Sequence, residues 1–248
     1  MASDLSYEGH SADDLRAILR VPRLELRDVV ASTLDLAHEL ARSGAPAGTL
    51  VLADAQTEGR GRGGRAWTSE AGSGIWLTLL ERCNRGSADL VSIRLGLLVA
   101  QAIDIYAGGT VLLKWPNDLY VEGGKLAGIL VESRWRGDQI EWMAIGMGIN
   151  LRAPAGVPGA RGLRPGTSRI DVLRAIVPAM RAAAAAAGPL SEEEMRNLET
   201  RDMARGRRCS QPASGRVCGI SADGTLAIHS AAGVVLAHAG SLVLEDEA

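Results

Sequence analysis

Phenylalanine is absent from this 248-residue chain, and aromatic residues make up only 3% of it. The core must therefore be built from leucine, valine, isoleucine and alanine. Cysteine is scarce: Cys83, Cys209 and Cys218 form no CxxC pair, and their odd number argues against a disulfide framework. The histidines, His10, His38, His229 and His238, show no metal-ligand spacing, so no zinc is assigned. No charge of one sign dominates, because Lys+Arg is 27 and Asp+Glu is 29, a net charge of −2. A protein that coats nucleic acid carries a strong basic excess instead. The longest apolar runs, such as residues 75–80 and 96–102, fall far short of a membrane-crossing helix, which needs ~20 residues. The amino terminus lacks the basic end and apolar stretch of a secretory signal. With 46% hydrophobic and 23% charged residues, the composition is that of a soluble globular protein, expected in the cytoplasm.

Helical and extended patterns mix along the chain. A short amphipathic helix is predicted over residues 12–19 and a strand over 24–30. Ser32 or Thr33 caps a helix running to about Arg42, which Gly44 and Pro46 stop. Strands at 49–53 and 75–81 flank a glycine-rich loop, 56–74, and the longest helix covers 88–106, closed by Gly108 and Gly109. A strand at 111–114 leads to a hairpin series: 119–121, a turn at Gly123 and Gly124, then 125–132 and 140–150. Residues 152–167 read as loop. Ser168 and Asp171 cap a helix through Ala187, which Pro178 should kink or split, and Ser191 with Glu194 opens a last helix ending near Gly206. About four short strands follow, at 216–220, 225–229, 234–238 and 242–244, with Asp223-Gly224 as a two-residue hairpin turn. This change of texture divides the chain into residues 1–206 and a small β-rich domain, 207–248.

Three segments carry chemistry. Gly59-Arg60-Gly61-Arg62-Gly63-Gly64-Arg65, followed by Trp67, combines freely turning backbone N–H groups with fixed positive charge. It suits a carboxylate, a phosphate or both. Arg/Gly segments also occur in RNA-binding tails, but this one lies between two predicted strands. In Lys114-Trp115-Pro116-Asn117-Asp118, the lysine can neutralise a polyphosphate and the aspartate is a hard ligand for Mg²⁺, although Pro-Asn-Asp is also a common turn. Lys125 opens the apolar strand Lys125-Leu126-Ala127-Gly128-Ile129-Leu130-Val131-Glu132, in which Gly128 marks a close approach of something to the backbone. Ile145-Gly146-Met147-Gly148-Ile149-Asn150 carries a GxG that strand packing alone would explain.

Taken in order, GRGRGGRAW, KWPND, KLAGILVE, GMGIN and the β-rich tail resemble the biotin protein ligases, from Ser32 to Leu244. The resemblance implies an α+β fold: a mixed β-sheet flanked by helices, related to class II aminoacyl-tRNA synthetases, with a small carboxy-terminal Src-homology-3-like β-barrel. It implies activation of biotin by Mg²⁺ and ATP to biotinyl-5′-AMP, then transfer to a lysine of a biotin carboxyl carrier domain. By the same resemblance Lys125 and Arg62 are catalytic. Ser32, Thr33, Gln56, Arg60, Arg62, Trp67, Lys125 and Gly128 contact biotin. Arg60, Arg62, Arg65, Lys114, Asn117 and Asn150 contact the nucleotide, and Asp118 binds Mg²⁺. Leu34 stands where relatives usually carry asparagine, so a polar contact is lost there. The arginine loop is expected to gain partners for its charges only with ligand. About 22 residues precede the first strand, too few for a DNA-binding module, so no repressor activity is expected. Partners are the carrier domain and small molecules, not DNA or membrane, and the chain acts as a monomer or homodimer. A lipoate ligase and an Arg/Gly RNA-binding module are the competing readings.

Overall fold

The computed structural model describes residues 5–82 and 88–245, so Cys83 lies outside the described residues. The architecture starts from a parallel pair. β1 (Leu24–Val30) and β2 (Thr49–Gln56) are joined across the sheet by α2 (Thr33–Arg42), with Leu24 opposite Leu50 and Val30 opposite Gln56. This register brings Gln56 beside the start of α2. β3 (Gly74–Glu81), β4 (Leu112–Lys114), β5 (Asp118–Val121), β6 (Gly124–Arg136) and β7 (Gln139–Asn150) complete a mixed sheet in the order β1-β2-β3-β7-β6-β5-β4. Every pairing after β1–β2 is antiparallel.

The two faces of the sheet are covered differently. Ile75, Leu77 and Leu79 of β3, with Ile145, Met147 and Ile149 of β7, join one large core with α1 (Ala12–Leu19), α3 (Ala88–Ile103) and α4 (Arg169–Ala185). Alternation sends Val51 and Ala144 to the other face, where Leu34 and Ala37 of α2 form a smaller cluster. Each fully buried leucine or valine there stabilises the fold by about 1.5–3 kcal/mol. α2 covers only part of that face, and the uncovered part is where the site lies.

α5 (Glu192–Arg201) begins at the expected Ser191–Glu194 capping box but stops before Gly206. α4 runs unbroken through Pro178, because Val172, Leu173, Ile176, Val177 and Met180 bury its apolar side around an outward-facing proline. α3 tightens into a 3₁₀ turn at Asp104–Tyr106, and Asp104 there accepts the Val111 N–H at 2.8 Å. The tail holds five strands: β8 (Arg208–Gln211), β9 (Gly215–Ile220), β10 (Leu226–Ser230), β11 (Gly233–Ala237) and β12 (Val243–Leu244). They form one antiparallel sheet in the order β11-β10-β9-β8-β12. β8 was not expected, since only Cys209 of its four residues is buried. Nor is Asp223-Gly224 a two-residue turn: Ser221 and Thr225 close a longer one, whose hydroxyl and amide donors converge on the Asp223 carboxylate. That hydrogen bonding holds the carboxyl down at about 2. Among the described residues no helix is long and apolar enough to cross a membrane.

Candidate functional site

Ser32 occupies the N-cap position of α2 in extended geometry, yet its hydroxyl caps nothing. The residue is 1% exposed, and its Oγ has no partner among the described residues. A hydroxyl buried this way costs about 1–3 kcal/mol unless something satisfies it. Beside it a chain of hydrogen bonds is already complete. Thr78 Oγ1 donates to Thr33 Oγ1 at 2.9 Å, and Thr33 donates its N–H and hydroxyl to Gln56 Oε1 at 2.9 and 3.1 Å. Gln56 Nε2 then donates to Ser69 Oγ at 2.9 Å. Thr78 and Ser69 were not anticipated. The one polar residue inside the apolar strand Ile75-Trp76-Leu77-Thr78-Leu79-Leu80 was the available signal for Thr78.

Next to this polar recess the sheet surface is bare backbone. Gly128 of β6 pairs with Gly148 of β7, and Leu130 with Gly146, so the three glycines share one face. A Cβ on Gly148 would lie 2.5 Å from Trp67 Nε1, and one on Gly128 would lie 3.0 Å from Trp67 Cζ3. The glycines thus make room for the Trp67 indole, which stands on the floor where the ring of biotin was expected against Gly128. The Trp67 Nε1 is itself buried without a partner among the described residues. Gly146 receives Leu34 in the same way, at 3.0 Å from Leu34 Cγ. The residue that departs from the family pattern is therefore buried apolar packing.

The arginine–glycine segment is a folded flap. Trp67 N–H donates to the Gly59 carbonyl at 2.8 Å and Gly61 N–H to the Arg65 carbonyl at 2.7 Å. The tip turns through Arg62–Gly64, with Gly63 and Gly64 at φ +66° and +73°, a region open to glycine. Two of its three arginines already hold protein partners, contrary to expectation. Arg60 donates to both oxygens of Asp35 at 2.6 and 2.7 Å and to Glu132 at 3.4 Å, which raises its pKa further. Arg65 Nη2 donates to Ser241 Oγ of the tail at 3.2 Å. The Arg62 guanidinium has no partner among the described residues. Glu132 is held below the usual carboxylate range by its hydrogen bond from His38 and by Arg60, which together outweigh its burial.

The opposite wall is built by β4, β5, the start of β6 and the loop at 152–167. Lys125 Nζ lies 2.8 Å from Asp118 Oδ2 and 5.2 Å from the centre of a Trp67 ring. Lys114 is buried, with its Nζ 5.3 Å from the Tyr120 ring centre. Asn117 was expected on the nucleotide, but its Nδ2 donates to the Ile129 carbonyl at 2.6 Å and locks the β4–β5 connection to β6. Asn150 Nδ2 donates to the Arg161 carbonyl at 3.2 Å. Lys125 N–H donates to the Gly159 carbonyl and Arg161 N–H to the Lys125 carbonyl, which brings Pro154, Val157 and Pro158 to the mouth. Trp115 is core, its Nε1 donating to the Gly224 carbonyl at 3.0 Å.

Every residue expected to contact biotin, nucleotide or metal lines this one cavity of about 660 Å³. That volume suits a ligand of cofactor size. Its two ends differ in chemistry: neutral hydrogen-bonding groups at Ser32, Thr33 and Gln56, and cations at Arg62, Lys114 and Lys125. As a resident metal centre the site fits poorly. No three His, Cys, Asp or Glu side chains cluster among the described residues, and Asp118 is spent on Lys125. One carboxylate fits an ion that arrives on nucleotide phosphates.

Sheet, flap and cavity together define an α+β protein with the biotin protein ligase fold. The enzyme of that name from Aquifex aeolicus, solved in complex with biotin and ATP, superposes with a TM-score of 0.72 at 23% identity, covering 90% of this chain and 99% of that one. The Leishmania major biotin protein ligase in complex with biotinyl-5-AMP gives 0.61 at 22% identity over 87% and 98%. The model of the Biotin/lipoate A/B protein ligase family matches residues 26–150, and the chain belongs to that family. The bifunctional ligase/repressor BirA of Bacillus spizizenii is 42% identical over 127 residues, 50% of this chain and 39% of that protein. The biotin--[acetyl-CoA-carboxylase] ligase of Paracoccus denitrificans is 39% identical over 122 residues, 48% of this chain and 49% of its own length. The match thus spans less than half the length of either relative.

Proposed function

We propose that the chain activates biotin with ATP and transfers the biotinyl group to a lysine of a biotin carboxyl carrier domain. The observation that carries this reading is the buried, unpartnered Ser32 hydroxyl at one end of a cavity whose other end holds Arg62 and Lys125. A cyclic urea needs donors and an acceptor when buried. Ser32 supplies an unused hydroxyl and the Thr33–Gln56 pair a second polar edge, while Leu34 and the Trp67 indole offer apolar surface to the bicycle. The valeryl chain then runs beside Trp67 toward the cations.

There the carboxylate oxygen attacks the α-phosphorus of MgATP, the bond from that phosphorus to the bridging oxygen breaks, and pyrophosphate leaves. Lys125 and Arg62 offset the negative charge that accumulates on the carboxylate and α-phosphate, with Lys114 on the outer phosphates. Such fixed charges, aimed at the transition state in a partly desolvated site, are often the largest catalytic contribution. To act, Lys125 exchanges Asp118 for the ligand, which frees that carboxylate toward the Mg²⁺ of the nucleotide. Asn150 lies toward the adenine. In the second step a neutral lysine amine of the carrier attacks the acyl carbon, AMP departs, and the amide nitrogen loses a proton to solvent. No protein nucleophile is required.

Residues 207–248 form the second domain of this reading, a small Src-homology-3-like barrel that contributes Ser241 and Leu242 to the cavity. On this reading the protein works in the cytoplasm, with the carrier. The test is incubation with biotin, MgATP and a biotinyl carrier domain, followed by the mass of the carrier. A gain equal to one biotinyl group supports the reading. Modification by lipoate but not biotin, in a competition between the two, replaces it with lipoate ligation.

A further inference from the structure

Arg60 is the flap arginine whose guanidinium is engaged by two protein carboxylates. Its two Nη atoms face the two oxygens of Asp35 at 2.6 and 2.7 Å, the bidentate geometry of a strong charge-assisted pair. Its Nε and Nη2 reach Glu132 at 3.4 Å. Glu132 is held in turn by His38 Nε2 at 2.8 Å, and His38 Nδ1 accepts from Trp142 Nε1 at 2.9 Å, so the ring proton sits on Nε2. Asp35 and His38 stand one turn apart on α2, three positions being the spacing that shares a helix face. This network joins three elements of the site at one guanidinium. α2 and its N-cap carry Thr33 and Ser32, β6 carries Lys125 and Gly128, and the flap carries Arg62 two residues beyond Arg60.

We propose that Asp35 and Glu132 are positioning residues: they pin the root of the flap through Arg60, so that Arg60 sets the place of Arg62 opposite Lys125 and is not itself a ligand contact. The proposal deepens the biotin-activation reading and rests on it. For Arg60 to swing onto a carboxylate or phosphate it must abandon both protein carboxylates, leaving Glu132 with His38 alone and Asp35 in water. Arg62, with no protein partner among the described residues, reaches a ligand at no such cost. Holding a charge in place matters because misplacement by about 1 Å costs on the order of a hundredfold in rate.

Asp35→Asn, Glu132→Gln and the double variant, each with and without Arg60→Ala, separate the two roles. Pyrophosphate release from biotin and MgATP is measured alongside trypsin cleavage after Arg62 and Arg65. With the pin, the double carboxylate variant loses about tenfold in kcat while the KM for biotin stays within about twofold. Adding Arg60→Ala to it changes little, because the pair has already been broken. Asp35→Glu restores most of the rate, and the flap of the double variant is cut faster while cleavage at arginines outside the flap keeps its wild-type rate. If the double variant keeps full rate and an unchanged cleavage pattern while Arg60→Ala alone abolishes activity, Arg60 is a ligand group and the pin is wrong. Wild-type protein that releases no pyrophosphate from biotin and ATP removes the functional reading instead; the cleavage pattern still decides the pin, faster cutting of the double variant supporting it and an unchanged pattern overturning it.

Discussion

Gly148→Ala puts the glycine floor to a direct test. The added Cβ would lie 2.5 Å from Trp67 Nε1 and 2.7 Å from Cε2, whereas carbon contacts relax at about 3.5–4 Å. The indole must therefore withdraw by about 1 Å. It cannot do so freely, because the Trp67 backbone is bonded to Gly59 and Lys125 lies near the ring. Overpacking of this kind costs about 2 kcal/mol. In a chain of this size that lowers Tm by about 6 °C. Gly128→Ala, whose Cβ would meet only the ring edge at 3.0 Å, should cost less. Thermal unfolding followed by tryptophan emission reads both. The decisive comparison repeats Gly148→Ala in a Trp67→Ala background, where the penalty should vanish because the two groups are the interacting pair. A Tm within a degree of wild type for Gly148→Ala alone, or an equal loss with and without Trp67, would refute the argument that these glycines exist to seat the indole.

Ser32→Ala removes a buried hydroxyl that has no partner, so the ligand-free protein should hold or gain stability while biotin binding weakens by about 1 kcal/mol, roughly fivefold. Calorimetric titration beside thermal unfolding checks it, and a fall in both contradicts it. Lys125→Ala should slow pyrophosphate release far more than it weakens biotin binding, since the charge matters most as the transition state forms; equal losses in titration and kinetics would count against that. Glu132 ionises below the usual range in the folded chain, so its contribution is complete above the carboxylate range and fades as pH falls through its depressed value. The Tm gap between wild type and Glu132→Gln should accordingly be present at neutral pH and close in acid. A gap independent of pH would show that packing, not charge, is responsible.

Much of this site could be read from the chain itself because its motifs are local. Alternation alone puts Gly146 and Gly148 on one strand face, and the glycines of the flap permit the left-handed turns that Gly63 and Gly64 take. The partners of Arg60 were hidden for a physical reason: a guanidinium advertises charge, but Asp35 and Glu132 lie 25 and 72 positions away. Asn117 and Asp118 likewise have partners that no local pattern announces, the Ile129 carbonyl and Lys125. Thr78 and Ser69 act only through contacts that tertiary folding creates. In the tail, β8 is a strand by virtue of its neighbours, its own four residues showing no apolar alternation beyond Cys209.

The turn at Gly224 reaches into the main body: its carbonyl meets the Trp115 indole, and a Cβ there would strike Leu90 at 2.7 Å. Val217, Leu226 and Leu244 belong to the same buried cluster as α3 and α4. A cut after Gly206 would therefore disturb the main body as well as remove the tail. It would uncover Trp115 and Leu90 to water and unfasten Arg65 from Ser241, loosening floor and roof of the binding chamber at one stroke.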